Sequence, residues 1–322
     1  MTLAQLRGRS AALLLSLVLG GAARASDPLL YCSSETTNAI SVISPTTNTV
    51  IATIPVGKRP RGMALSPDGR TVYVALGLDD AVGVIDVKRA ALTRSIPANR
   101  DPELVAVSPD GRTLYVSNEE IAHASAIDVA TGRIRFSTPV GVEPEGIAVS
   151  PDGAKLYVTA ETTNSVSVLD AKTGRVLRTI PVGENPRTVA FTPDGRRAYV
   201  TAEAGGNVTV IDADADTTVG RFPIRDGKTK PVRIAFSPDG RLAYLTEGAA
   251  ATVSVIDLAA RKVIDTIPVG RRPWGIALSP DGRRLYTADG RSNQVSVIDT
   301  GGRKVVATIP VGDRPNDLLY IP

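Results

Sequence analysis

Apolar and polar residues alternate along most of the chain with a period of two. The stretch KLYVTAETTNSVSVLD at 155–170 is representative, and its alternation predicts half-buried β-strands rather than helices. Each repeat contains four such stretches and one Pro-Asp-Gly turn, whose copies lie 42, 42, 42, 45 and 42 residues apart and begin at Pro67, Pro109, Pro151, Pro193, Pro238 and Pro280. Four strands in a unit of this length predict one blade of a β-propeller.

The two ends of the chain supply the halves of one more unit. Residues 27–57 contain the second, third and fourth strands of a blade, and residues 314–322 contain a first strand without followers. Their pairing predicts an all-β fold: a seven-bladed β-propeller of four-stranded antiparallel blades, formed by residues 26–322 as a single domain with no exposed edge at the seam. Tyr320 lies on the closing strand, and the other seven tyrosines share one position on strand two: Tyr31, Tyr73, Tyr115, Tyr157, Tyr199, Tyr244 and Tyr286.

The repeats resemble those of a known family. LYVSNEE, LYVTAETTNSVSVLD and IPVGENPRTVAFTPDGRRAYVTA resemble the YVTN family of β-propeller repeats, and the likeness covers residues 28–322. DPELVAVSPDG, VGVEPEGIAVSPDG and RRPWGIALSPDG are similar to periplasmic propellers associated with PQQ-dependent alcohol catabolism. This resemblance implies a β-propeller fold and a periplasmic setting rather than a specific reaction. Four blades depart from the name-giving motif with YVAL, YLTE, YTAD and YCSS, so the repeat letters are not expected to be catalytic.

Residues 1–25 differ in character from the rest of the chain. Arg7 and Arg9 precede the apolar run AALLLSLVLG, and a small-x-small cleavage site ends at Ala25, which predicts a secretory signal peptide and a periplasmic or secreted protein. No stretch is long and apolar enough for a membrane span. Removing the three arginines of the leader changes 37 basic residues against 33 acidic ones to 34 against 33. The single cysteine, Cys32, excludes an intramolecular disulfide and is expected to pack as a small core hydrophobe.

The loops of one propeller face vary from blade to blade, which makes that face the candidate binding surface. The loops between blades converge on the central channel at the residue after a proline: Arg61, Glu103, Glu145, Arg187, Val232, Trp274 and Asn316. One side of this mouth is acidic through Asp101, Glu103, Glu143 and Glu145, and the other is basic through Arg59, Arg61, Arg271, Arg272 and Arg314. A polarised mouth would orient a charged partner or ligand, with Trp274 as a recognition hot spot. The alternatives are solvated loop tips and a tryptophan that plugs the channel.

A second ring of acids lies three or four residues after each blade tyrosine: Glu35, Glu119, Glu161, Glu203, Glu247 and Asp289. We expect these carboxylates to be solvated turn ends. The alternative is a circle of carboxylates that holds a divalent cation or repels acidic partners.

Other candidate chemistry is weak. The acids of DADAD at 212–216 imitate the start of a calcium loop, but Thr217 replaces the required glycine and Pro223 stands at the last ligand position. His123 is the only histidine and would need Glu119 or Glu120 as its partner in acid–base chemistry. One histidine and one cysteine exclude histidine-rich metal sites, Cys-x-x-Cys-His haem attachment and cysteine-ligated clusters. We expect no metal and no cofactor.

Three functions remain open. We favour a non-catalytic, monomeric propeller that binds a small ligand or a periplasmic protein such as a quinoprotein dehydrogenase or cytochrome. The second is a lactonase-like hydrolase, for which Glu145 and Arg187 would be tested first. The third is binding of a polyanion or single-stranded nucleic acid by the basic side and Trp274, and nucleic acid is not expected because aromatics are only 4% of the chain.

Overall fold

The computed structural model describes residues 27–322, which form 28 β-strands and one short 3₁₀ helix, Gly77–Asp79. The strands build seven four-stranded antiparallel sheets, so the predicted seven-bladed propeller is confirmed. The predicted signal peptide lies outside the described residues. Within residues 27–322, no helix has the length and hydropathy that crossing a membrane requires.

Each blade contributes one strand to each of four layers around the channel. The innermost strands of blades one to seven are β4 (Pro60–Leu65), β8 (Pro102–Val107), β12 (Pro144–Val149), β16 (Pro186–Phe191), β20 (Pro231–Phe236), β24 (Pro273–Leu278) and β28 (Pro315–Ile321). The second strands are β5 (Thr71–Leu76), β9 (Thr113–Asn118), β13 (Lys155–Ala160), β17 (Arg197–Ala202), β21 (Leu242–Glu247), β25 (Arg284–Asp289) and β1 (Leu29–Ser34). The third strands are β6 (Ala81–Asp86), β10 (His123–Asp128), β14 (Ser165–Asp170), β18 (Asn207–Asp212), β22 (Thr252–Asp257), β26 (Gln294–Asp299) and β2 (Ala39–Ser44). The outer strands are β7 (Ala91–Pro97), β11 (Ile134–Pro139), β15 (Val176–Pro181), β19 (Thr217–Pro223), β23 (Lys262–Pro268), β27 (Lys304–Pro310) and β3 (Thr49–Pro55).

The innermost strands form a closed ring, because each lies against the innermost strands of both neighbouring blades. Every one of them begins at a proline. In blade three, Pro144 pairs with Ala160, so the ladder of β12 includes the proline itself. Proline is tolerated at the first position of a strand, where its missing N–H leaves no gap in the ladder.

Blade seven joins the two ends of the described chain. Strand β28 pairs antiparallel with β1, with Tyr320 opposite Leu30 and Leu319 opposite Tyr31. The resulting sheet has the order β28-β1-β2-β3, as predicted from residues 27–57 and 314–322. Closure therefore rests on main-chain hydrogen bonds between segments almost 290 residues apart, and it pairs edges that would otherwise be exposed.

The Pro-Asp-Gly turns connect the first and second strands, on the face opposite the variable loops. In blade three the Gly153 amide donates to the Ser150 carbonyl at 2.8 Å, and the Ser150 hydroxyl donates to Asp152 Oδ1 at 2.5 Å. Gly153 has φ 73°, a left-handed conformation that glycine adopts without steric cost. The turn thus requires the residues that recur in six blades.

The repeat tyrosines fill the spaces between blades. Tyr31 packs with Val42 and Ile54 of its own blade and with Met63 and Val72 of blade one. Cys32 belongs to the core between blades six and seven, so its expected role as a small core residue is confirmed, and burial raises the pKa of its thiol. These seams hold the blades in the fixed relative positions on which a channel-mouth site depends.

A hydroxyl two residues after the tyrosine ties each of five blades to the next. The Thr201 hydroxyl donates to the Val232 carbonyl at 2.6 Å, and the Thr188 amide donates to the Thr201 hydroxyl at 3.1 Å. Equivalent bonds join Ser33 to Arg61, Ser117 to Glu145, Thr159 to Arg187 and Thr246 to Trp274. The carbonyl acceptors belong to the predicted channel residues. The threonine or serine hydroxyl of the repeat motif therefore fixes the main chain at the channel mouth.

Candidate functional site

The residue before each inner-strand proline has a left-handed backbone. The φ values are 53°, 47°, 57°, 55°, 58°, 53° and 53° for Arg59, Asp101, Glu143, Asn185, Lys230, Arg272 and Arg314. This conformation costs a residue other than glycine about 1 kcal/mol, so it persists only where neighbours hold it. Here the Arg59 amide donates to Asn38 Oδ1 at 3.0 Å, and the Arg314 amide donates to Asn293 Oδ1 at 3.1 Å. The loops that carry the candidate residues are therefore held in place by the preceding blade.

Two arginines of the predicted ring neutralise carboxylates from several blades. Arg61 Nη1 donates to Glu35 Oε1 at 2.5 Å, and its Nη2 lies 3.3 Å from Glu145 Oε1 and also contacts Glu103. On the other side, Arg187 Nη1 lies 2.6 Å from Glu145 Oε1. Glu145 therefore joins the two arginines, one of which, Arg187, is the residue named with it in the lactonase hypothesis.

Arg187 also engages two acids of the second ring. Its Nε donates to Glu203 Oε2 at 2.5 Å, and its Nη1 pairs with Glu161. We call the connected set the channel network: Glu35, Arg59, Arg61, Glu103, Glu145, Glu161, Arg187 and Glu203. The two rings that the sequence presents separately thus form one cluster at the channel mouth.

The expectation of solvated turn ends is wrong for four acids of the second ring. Glu161, Glu203, Glu247 and Asp289 are buried, and Glu247 and Asp289 have no exposed surface. Glu247 pairs with Arg225 at 3.1 Å, whereas Asp289 accepts hydrogen bonds from Ser296 at 2.6 Å and from the Gly270 amide at 3.1 Å. These carboxylates follow the second strand, where neighbouring loops cover them, so each needs a charged or hydrogen-bonding partner.

The carboxylates of the network ionise unequally. Burial raises the pKa of Glu161 to about 8, and the adjacent Glu145 carboxylate adds to the rise. Burial likewise raises the pKa of Glu103 well above its usual range. For Glu145, burial is outweighed by Arg61 and Arg187, which lower the pKa. At neutral pH the network therefore contains both carboxylates and protonated carboxyl groups.

Three carboxylates near blade two approach one another closely enough to suggest a metal site. They are Asp101, Glu103 and Glu119. The Arg59 guanidinium contacts all three, with Nη1 at 3.3 Å from Asp101 and Nη2 at 3.7 Å from Glu119. Arg59 thus supplies the cation, and we assign no metal to these residues.

A pocket of about 320 Å³ lies beside the network on the blade six and seven side. Its walls come from three interblade loops with the inner-strand starts that follow them, and from the loops between the second and third strands of blades six and seven. The residues that line this arginine pocket are Glu35, Arg61, Arg272, Trp274, Gly290, Arg291, Arg314, Pro315 and Asn316. Asn316 donates to Glu35 Oε1 at 2.8 Å, which connects the pocket wall to the network.

Trp274 is a wall of the pocket rather than an open platform. The Arg272 guanidinium lies 4.6 Å from the ring centroid and that of Arg187 lies 5.2 Å away. Only 9% of Trp274 is exposed. Cation–π contacts of this kind hold the arginines and cover the ring, so little aromatic face remains for a nucleotide base.

Three of the four arginines that line the pocket, Arg272, Arg291 and Arg314, have no carboxylate partner among residues 27–322, whereas Arg61 belongs to the channel network. Among residues 27–322, no carboxylate oxygen lies within salt-bridge distance of Arg271, Arg272, Arg291 or Arg314, and such partners are abundant in the channel network. Arg272 is half-buried, and burial lowers the pKa of its guanidinium. Arg271 has a supporting position, since its Nη2 donates to the Arg291 carbonyl at 3.1 Å. Arg291 was not predicted, because it occurs in one blade only and no repeat position identifies it.

The weaker candidates have ordinary structural partners. His123 Nδ1 lies 2.5 Å from the Ile121 carbonyl, and within 27–322 it makes no hydrogen bond to Glu119 or Glu120. In the DADAD segment, Lys155 Nζ lies 2.8 Å from Asp216 Oδ2. Neither feature adds to the channel mouth.

Comparison with known proteins places this geometry in a family. The chain is 26% identical to hydrazine synthase of Kuenenia stuttgartiensis, covering 84% of this chain and 92% of that one with a TM-score of 0.77. A functionally unknown protein from Desulfotomaculum acetoxidans is 17% identical, with coverage of 91% and 98% and a TM-score of 0.81. A putative 6-phosphogluconolactonase from Bacteroides fragilis is 16% identical, with coverage of 92% and 99% and a TM-score of 0.78.

The last two similarities show the fold alone. No curated protein matches the chain. The model of the virginiamycin B lyase family matches residues 51–318, which include six complete blades and most of the closing strand. The chain belongs to the virginiamycin B lyase family.

Proposed function

We propose that this protein is a non-catalytic binding propeller whose arginine pocket accepts a small anionic ligand. One observation carries the proposal: Arg272, Arg291 and Arg314 line one pocket and have no carboxylate partner among the described residues. Guanidinium groups form paired hydrogen bonds with carboxylate, phosphate and sulfate, so these are the expected ligand groups.

The energetics favour an anion at this position. Arg272 is half-buried, and the Glu203 and Glu35 carboxylates that act on it lie beyond salt-bridge distance, so a bound anion would offset part of the cost of its burial. The pocket walls are loops tied to neighbouring blades, so little conformational entropy is lost on binding. A volume of about 320 Å³ suits a small molecule.

The wider setting is also a proposal. A signal peptide at residues 1–25 would direct the mature chain to the periplasm, and the resemblance to PQQ-associated propellers motivates a role beside alcohol oxidation. A dehydrogenase or cytochrome with an acidic surface is the protein partner that this basic rim would favour. Single-stranded nucleic acid is disfavoured, because Trp274 is nearly covered.

The sole tryptophan makes the pocket directly testable. Trp274 fluorescence should respond to sulfate, inorganic phosphate or citrate, and the response should saturate. We expect the double variant R291A/R314A to bind the best of these probes at least about tenfold more weakly, because two charge-assisted contacts are lost. The matched control, R112A/R283A, removes the same charge beside two Pro-Asp-Gly turns and should bind as the parent does. No saturable response, or equal weakening in both variants, would refute the proposal.

A second candidate function is acid–base catalysis. It is favoured by the Glu145 and Glu161 pair, which shares Arg187 and in which the pKa of Glu161 is about 8. Such a pair exchanges protons at neutral pH, as a lyase or lactonase requires. A panel of sugar lactones tests this candidate: hydrolysis by the parent that disappears in E161Q would support it, and hydrolysis that survives both E145A and R187A would exclude it.

A further inference from the structure

The arginine pocket and the channel network share side chains. Arg61 lines the pocket and contacts Glu103, whereas Arg187 packs on the pocket tryptophan and contacts Glu161. Glu35 lines the pocket and accepts from Arg61 at 2.5 Å. A charge placed in the pocket therefore acts on the buried carboxyl groups through at most one intervening side chain.

The network contains more acids than arginines. Five glutamates (Glu35, Glu103, Glu145, Glu161 and Glu203) face three arginines (Arg59, Arg61 and Arg187) and Lys230, and Arg59 also contacts Asp101 and Glu119, so seven carboxyl groups outnumber four cations by three. Ionising all of these carboxyl groups in a largely buried site would be costly, so protons are the simplest balancing charges.

The surroundings of Glu161 and Glu103 come from several blades. Glu161 faces Arg187, Glu145 and the Asn185 amide, which donates to it at 2.6 Å. Glu103 faces Arg59 and Arg61 on blade one, Glu145 on blade three and Glu119 of its own blade. Lys230 lies 3.8 Å from Glu203 and is the only lysine in salt-bridge contact with the network among the described residues.

We propose that the channel network is a proton site linked to the arginine pocket, so that an anion binds together with a proton. This inference rests on the proposed function. An anion beside Arg61 and Trp274 makes the local potential more negative, which favours the protonated form of the buried carboxyl groups. By reciprocity, protonation of the network strengthens anion binding.

The direction and the pH range follow from Glu161. Its pKa of about 8 means that it loses its proton across pH 7 to 9 in the free protein. A bound anion raises this pKa further, so the complex retains a proton that the free protein has released. Anion affinity should fall as pH rises from 7 to 9.5, by about three- to tenfold if the pKa rises by about 0.5 to 1. Below pH 7 both forms hold the proton, and affinity should be constant.

Sulfate is the appropriate probe because its own charge does not change between pH 6 and 9.5. Dissociation constants would be measured from Trp274 fluorescence at fixed ionic strength across that range. E161Q keeps a neutral hydrogen-bonding group at the site and should reduce the pH effect to less than about twofold. E247Q alters a buried acid of the same ring outside the network and should retain the full effect.

The outcomes separate the two proposals. No sulfate response at any pH would refute the anion pocket itself. Saturable binding with a pH-independent dissociation constant would leave the pocket intact and overturn the proton linkage, as would an equal effect of E161Q and E247Q. If E161Q does not fold, calorimetry of the parent at pH 8 in buffers of different ionisation enthalpy replaces it: uptake of about 0.3 to 0.4 proton per sulfate supports the linkage, and zero uptake overturns it.

Discussion

The two sides of the channel mouth differ in whether their arginines are paired with carboxylates. On the side of blades one to four, every inner-ring arginine contacts at least two carboxylates, as Arg187 does with Glu145 and Glu203. On the side of blades six and seven, Arg272, Arg291 and Arg314 line a pocket without any such contact in residues 27–322. Arg59 on the first side holds the same repeat position as Arg272 and Arg314 on the second, the residue before an inner-strand proline, so the scaffold alone does not produce the difference.

The comparison separates structural charges from available ones. In a buried ion-pair network, nearby carboxylates offset the positive charge of each arginine, so little electrostatic attraction remains for an anionic ligand. Arginines left without carboxylates retain their field and their hydrogen-bond donors. We therefore expect substitutions on the first side to change stability and substitutions on the second side to change binding.

The largest expected effect is that of R187A. Removing Arg187 leaves three neighbouring glutamates without their shared cation in a poorly hydrated site, and we expect a loss of about 3 kcal/mol in the free energy of unfolding. Urea unfolding followed by circular dichroism measures it. R196A, an exposed arginine on the turn face of the same blade, is the control and should change stability by less than about 0.5 kcal/mol. An unchanged midpoint for R187A would contradict the structural role of the network.

A second prediction concerns pH. Folding raises the pKa of Glu161 to about 8, above its value in the unfolded chain, so the native state binds more protons between these values. The free energy of unfolding should therefore fall as pH rises from 5 to 8, by up to about 1.4 kcal/mol per pH unit for each such proton. Urea titrations at unit pH intervals measure the slope, which should be shallower in E161Q. A stability that rises over this range would show that the acids are not protonated.

The smallest expected effect on stability is that of R291A/R314A. Neither arginine has an acidic partner to lose within residues 27–322, and both are exposed, so the free energy of unfolding should change by less than about 0.5 kcal/mol. Thermal unfolding with and without sulfate provides a second test. Sulfate should raise the unfolding temperature of the parent and leave that of the double variant unchanged. A large loss of stability would mean that these arginines belong to the scaffold after all.

Much of the fold could be predicted from the sequence because the repeat is local. Alternation, the Pro-Asp-Gly turns and the strand-two tyrosines each depend on contacts within one blade or between adjacent blades. The closing blade was predictable as well, since residues 314–322 match the one strand that residues 27–57 lack. The alternation does not mark where the inner strands begin, and only the structure shows that Pro144 pairs in the ladder of β12.

The site was only partly predictable. The sequence identifies both rings, but as separate features, and predicts solvated ends for the acids of the second ring. The residues that contact one another at the mouth are distant in sequence: Arg61 and Glu145 are 84 residues apart, and Asn316 and Glu35 are 281 apart. Arg291 lacked any signal, because its importance comes from its position between Arg272 and Arg314.

The sequence by itself determined the number of blades, the strand order, the closing seam and the residues that reach the channel mouth. Each of these follows from short-range periodicity repeated around a ring. Only the tertiary structure decided which charges neutralise one another and which remain available, because ion pairing depends on distances of a few ångströms between side chains from different blades. Among residues 27–322, that pairing leaves Arg272, Arg291 and Arg314 without a carboxylate partner beside a network of buried acids.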